Sequence, residues 1–76
     1  MNKERRSKLA EAQSLVEKAK DIVEDVKTDE EDVLYNLEEK FSETERYAQI
    51  ESNVDNLDEL VDALGDVIDQ FDGIES

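Results

Sequence analysis

The chain has 76 residues, a net charge of −14, a mean hydropathy of −0.79, 37% hydrophobic side chains and 5% aromatic ones, enough for one small domain with a thin core. It has no cysteine and no histidine, which excludes disulfide staples, thiolate metal sites and histidine-based acid–base catalysis. Its longest apolar runs are two or three residues, too short for a membrane span or a signal-peptide core, so a soluble, cytoplasmic protein is expected.

The charge is unevenly placed. Residues 1–27 hold seven Lys or Arg against six Asp or Glu, whereas residues 28–76 hold two against seventeen. Such a surface repels nucleic acid and anionic membranes and attracts basic partners.

Met1 to Lys8 is a basic lead-in with Lys3, Arg5, Arg6 and Lys8. From Leu9 an alternation of steps of three and four begins: Leu9, Ala12, Val16, Ala19, Val23, Val26, Glu30, Val33 and Leu37, with Leu15 and Ile22 widening the stripe. With Ala, Leu, Lys and Glu dominant, this predicts helix 1 over residues 4–36. The stripe falters at Lys27–Asp32, where Thr28 and Glu31 offer a capping box, but the phase agrees on both sides and favours continuity. Residues 37–42 read as a connector. Ser42-Glu43-Thr44-Glu45 then fits S-x-x-E, with Ser42 as cap and Phe41 bracing the entry of helix 2.

Helix 2 is predicted over 43–72. Tyr47, Ile50, Val54, Leu57, Val61, Leu64, Ile68 and Phe71 form an unbroken seam, and Leu60, Val67 and Ile74 widen it. Gly73 suits a left-handed closing position, with Ile74 folding back on Ile68 or Asp69.

The cations opening helix 1 and Asp66, Asp69 and Asp72 closing helix 2 each oppose their own helix dipole. Folding back antiparallel sets them against each other, and also sets Lys20 near Asp62 and Lys27 near Asp55. The fold class is therefore all-α: residues 1–76 form one coiled-coil-like antiparallel helical hairpin. Leu15, Ile22, Val23, Ile50, Val54, Leu57, Leu60, Val61, Leu64, Val67 and Ile68 are the expected core and dimer residues. Two helices leave Leu15, Ile22, Leu60 and Val67 partly wet, so a homodimer closing a four-helix bundle is expected.

The surplus charge collects near the turn, where Asp29, Glu30, Glu31, Asp32, Glu38, Glu39, Glu43 and Glu45 face only Lys40 and Arg46. Asp55, Asp58, Glu59 and Asp62 share one face of helix 2 at metal-like spacing, but they point away from the seam and read as a solvated face. Asp69–Gly73 lacks the first ligand of a calcium loop, because that position is Ile68. No serine has a histidine to activate it. No catalytic group, cofactor or metal ligand is assigned. Tyr35, off the seam beside Asn36, is a candidate contact residue. Carboxylates repeating each turn, about 5.4 Å apart, match a phosphate strand in sign and coarse spacing.

Leu9–Val26, the acidic Asp29–Asp32, Tyr35-Asn36-Leu37-Glu38-Glu39, and Ser42-Glu43-Thr44-Glu45-Arg46-Tyr47 before an Asp/Leu-rich helix carry a resemblance. Together they resemble the small acidic helical-hairpin proteins encoded by bacteriophages and prophages of Gram-positive bacteria. The resemblance implies residence in the host cytoplasm. It also implies a DNA-mimicking inhibitor that occupies a basic, nucleic-acid-binding host protein, such as an HU-type nucleoid protein. Asp29, Glu30, Glu31, Asp32, Glu38, Glu39, Asp55, Asp58, Glu59 and Asp62 are the expected contacts. The alternative is a coiled-coil adaptor that binds through its apolar seam.

Overall fold

The computed structural model describes residues 1–41 and 43–74, without the side chains of residues 39–41. Two helices, α1 (Lys3–Phe41) and α2 (Glu45–Asp72), pack against each other as an antiparallel hairpin 58 Å long and 15 by 13 Å across. No strand occurs among the described residues.

α1 starts earlier and ends later than its apolar pattern suggests. Asn2 begins it: its side-chain oxygen accepts from the Arg5 N–H at 2.8 Å, and its carbonyl takes the first helical bond, from Arg6 N–H. Thr28 does not start a new helix. Its hydroxyl instead donates to the Glu24 carbonyl at 3.0 Å, one turn back, and α1 runs unbroken to Phe41. The connector expected from residue 37 is thus helical over its first five residues.

α2 is capped by Thr44, whose hydroxyl accepts from the Tyr47 N–H at 3.1 Å. The capping role expected of Ser42 passes two residues on, so the helix opens at Glu45 rather than 43; Ser42 itself and the bracing side chain of Phe41 lie outside the described residues. At the other end Gly73 stays right-handed, with φ −77° and ψ −11°, and not left-handed as its type suggests. The helix closes by tightening: Gly73 N–H donates to Gln70 and Ile74 N–H to Phe71, each three residues back.

The α2 side of the interface is the eight-residue seam from Tyr47 to Phe71. Ile50 is the one buried hydrophobic residue among those described, at 6% exposure, and the other seven are half-buried. The α1 side differs from the sequence pattern. Leu9, Val16, Val23, Glu30 and Leu37 face α2, but the positions between them are Gln13, Lys20, Lys27 and Leu34. Ala19, Val26 and Val33 face solvent instead, and Ala12 is half-buried. The reason is electrostatic as well as steric. A lysine on this column lays its methylenes over the seam and delivers its ammonium to the carboxylates of α2, which alanine and valine cannot do.

The register shows the same choice. Lys27 Nζ sits 2.6 Å from Asp58, three residues, or a little under one turn, beyond the expected Asp55. Lys20 lies over Gly65 and pairs with Glu24 of its own helix at 3.0 Å, with Asp62 only a minor influence.

Candidate functional site: an acidic flank opposite an apolar one

Two cross-helix contacts define the sides of the hairpin. Lys27 meets Asp58 on one flank. On the other, Asn53 donates its amide to Glu30 at 3.3 Å. Carrying these positions along each helix in sevens assigns every residue to a side.

On the Lys27–Asp58 side, α1 contributes Glu17, Glu24, Glu31 and Glu38 at intervals of seven, and α2 contributes Glu51, Asp58 and Asp72 with Asp55, Asp62 and Asp69 beside them. An open groove lined by Lys20, Val61, Asp62, Gly65, Asp66 and Asp69 runs along it. Lys20 and Lys27 lean onto this flank from the seam, and Lys3 falls in the column of Glu17 at the open end. Glu24, hydrogen-bonded to Lys20, raises that ammonium above its ordinary 10.5, and Asp58 does the same for Lys27. Tyr47 at the turn end has its phenol raised above 10.0, first by desolvation and then by Glu38 and Glu51. Tyr35 stands on this flank between Glu31 and Glu38, 67% exposed.

On the Glu30–Asn53 side the chemistry inverts. α2 presents Arg46, Gln49, Asn53, Asn56, Leu60, Ala63, Val67 and Gln70 there, with Ile74 just past its end, and of its nine carboxylates only Glu45, at the turn end, borders this side. α1 presents Ala12, Leu15, Ala19, Ile22, Val26 and Val33, with Leu15 at 61% and Ile22 at 55% exposure. At its turn end a groove is lined by Glu30, Val33, Glu45, Arg46, Gln49, Ile50 and Asn53.

Of the ten expected contact residues, the hairpin gathers Glu31, Glu38, Asp55, Asp58 and Asp62 on the acidic flank. Glu30 is on the seam, half-buried under Asn53. Asp29 is on the apolar side, and Asp32 and Glu59 point outward. The side chain of Glu39 lies outside the described residues. Glu17, Glu24 and Glu51 belong to the flank but were not singled out by the sequence; the seven-residue interval Glu17–Glu24–Glu31–Glu38 is the signal that marks them.

The expected core residues divide likewise. Val23, Ile50, Val54, Leu57, Val61, Leu64 and Ile68 line the helix–helix seam, while Leu15, Ile22, Leu60 and Val67 are exposed on the apolar flank. Among the described residues no group of three or more acidic side chains is arranged to hold a metal ion, and no helix is long and apolar enough to cross a membrane. A cleft of about 160 Å³ at the open end is lined by Met1, Arg6, Leu9, Ala10, Gln13, Phe71 and Ile74. The arrangement offers a charged surface and an oily one. Comparison with protein-family models, with curated proteins and with solved structures finds no match.

Proposed function

We propose that this chain is a non-catalytic, acidic binding protein. It pairs with a second copy into a four-helix bundle and occupies the basic surface of a nucleic-acid-binding host protein, such as an HU-type nucleoid protein, in place of DNA. The observation that carries the reading is the segregation of charge. Carboxylates from both helices run the length of one flank, with Tyr35 standing among them as an aromatic anchor of the kind that dominates interface energetics. A carboxylate array kept only for solubility has no need to vacate one side of α2 beyond its first turn. A continuous negative flank raises the encounter rate with a cationic protein and competes with phosphates for the same lysines and arginines.

The test is titration of a purified HU-type protein, with and without DNA, at low and high salt. Binding is expected to compete with DNA and to weaken steeply as salt rises, since exposed charge is screened within ~8 Å at physiological ionic strength. The triple variant Glu31→Lys, Asp55→Lys, Asp62→Lys is expected to lose at least about tenfold in affinity, or ~1.4 kcal/mol. Affinity indifferent to salt and to the triple variant overturns the mimic reading.

The exposed Leu15, Ile22 and Val26 favour a second reading, an adaptor whose apolar flank meets the partner. Under that reading the triple variant still binds and Ile22→Glu does not.

A further inference from the structure

We infer that the apolar flank is covered by a second copy of this chain laid antiparallel, with α1 crossing α1 near Ala19. This rests on the dimer reading above and gives that dimer its surface and its polarity.

Area is the first support. The accessible surface is 5935 Å², whereas a compact monomer of 8.7 kDa exposes about 4,700 Å², so roughly 1,200 Å² is in excess. A flank of a body 58 Å long and 15 Å wide offers about the ~800 Å² per partner of a standard interface. With Ile50 as the one buried hydrophobic residue among those described, one hairpin has little core of its own.

Charge is the second support, and it selects both the face and the direction. Two bodies of −14 can approach closely only where carboxylates are sparse, and α2 brings only Glu45, beside Arg46 at the turn end, to this flank. Along α1 the flank carries Arg5 and Lys8 at the open end, Lys8 bridged to Glu4 at 3.4 Å, and Asp29 toward the turn. A parallel pair stacks like on like. An antiparallel pair sets Arg5 and Lys8 of each copy against Asp29 of the other. The midpoint between Lys8 and Asp29 falls beside Ala19, a small residue with Leu15 and Ile22 placed on either side of it. The twofold axis then leaves both acidic flanks facing outward, free to bind.

The experiment uses the full chain: light scattering at micromolar concentration, followed by distance measurement between spin labels on Ala19→Cys and on Lys8→Cys. A dimer is expected. The two labels at position 19 should lie close together, and those at position 8 about 33 Å apart at 1.5 Å per residue. Ile22→Glu, at a site exposed in the hairpin, should keep its helicity and raise the dimer dissociation constant on the order of a hundredfold, because twofold symmetry counts the change twice. Ser52→Glu, on the outer face of α2, should leave the dimer intact.

A monomeric wild-type chain overturns this inference together with the bundle. A dimer that survives Ile22→Glu, or whose position-8 labels lie close together, overturns the inference and leaves the bundle standing.

Discussion

Lys27 shows how one side chain settles the register. Its aliphatic stem covers the seam, and its ammonium reaches Asp58 at 2.6 Å. That bond, with Lys20–Glu24 and the desolvated Tyr47, fixes how stability responds to alkali. All three groups have raised proton affinity in the folded chain, from ordinary values of 10.5, 10.5 and 10.0. A raised folded value means that the native chain keeps protons the unfolded chain has released. The stabilisation is therefore complete below about pH 10 and is lost as pH climbs through the raised values. Thermal melts at pH 9 and pH 11 should show a clear drop, and Lys27→Met should show a smaller one. An equal drop in the variant would rule out the Lys27–Asp58 bond as a source. A pattern of apolar letters does not reveal this contact: lysine scores as polar, and its apolar stem is invisible to a two-letter reading.

At the scale of the helix, legibility depends on whether one column of apolar residues has a rival. In α2 the eight seam positions have none, so the seam read from sequence is the seam observed. In α1 the column Leu9, Val16, Val23, Glu30, Leu37 can be completed by residues three ahead or four ahead. The first choice collects Ala12, Ala19, Val26 and Val33; the structure takes the second and uses Leu34, because the partner is α2 with its nine carboxylates. The helix ends were the other gap, since Ser42 and Thr44 are both good caps and only the path of the chain selects between them. Two substitutions in α2 test these local accounts with opposite signs. Thr44→Ala removes the acceptor for the Tyr47 N–H and should cost about 1 kcal/mol. Gly65→Ala should stabilise by about 0.5–1 kcal/mol: Gly65 lies mid-helix with ordinary φ, and an added Cβ would meet only the flexible Lys20 Cε at 3.7 Å. A loss at Gly65→Ala would mean that Lys20 cannot yield, and that its path across α2 is fixed.

For the whole molecule the governing quantity is a charge of −14 spread over a rod 58 Å long. Carboxylates on neighbouring turns repel along the entire acidic flank, and two lysines offset only part of that repulsion. Folding gathers this charge and unfolding disperses it, so self-repulsion opposes the compact state. Added salt screens it, with a Debye length falling from ~30 Å at 0.01 M to ~10 Å at 0.1 M. The same screening weakens attraction to a cationic partner. Salt should therefore act on the fold and on the proposed binding in opposite directions: the melting temperature rises from low to moderate NaCl while affinity for the proposed basic partner falls. The proposed dimer predicts a second signature, a melting temperature that climbs with protein concentration. Both are read from one set of melts at several salt and protein concentrations, set beside the binding titration. If melting temperature falls with salt, ion pairs such as Lys27–Asp58 outweigh the repulsion, and the acidic flank is then held together by its lysines rather than strained by its own charge. In that case the carboxylates are committed internally, and a cationic partner would have to displace Lys20 and Lys27 before it could bind.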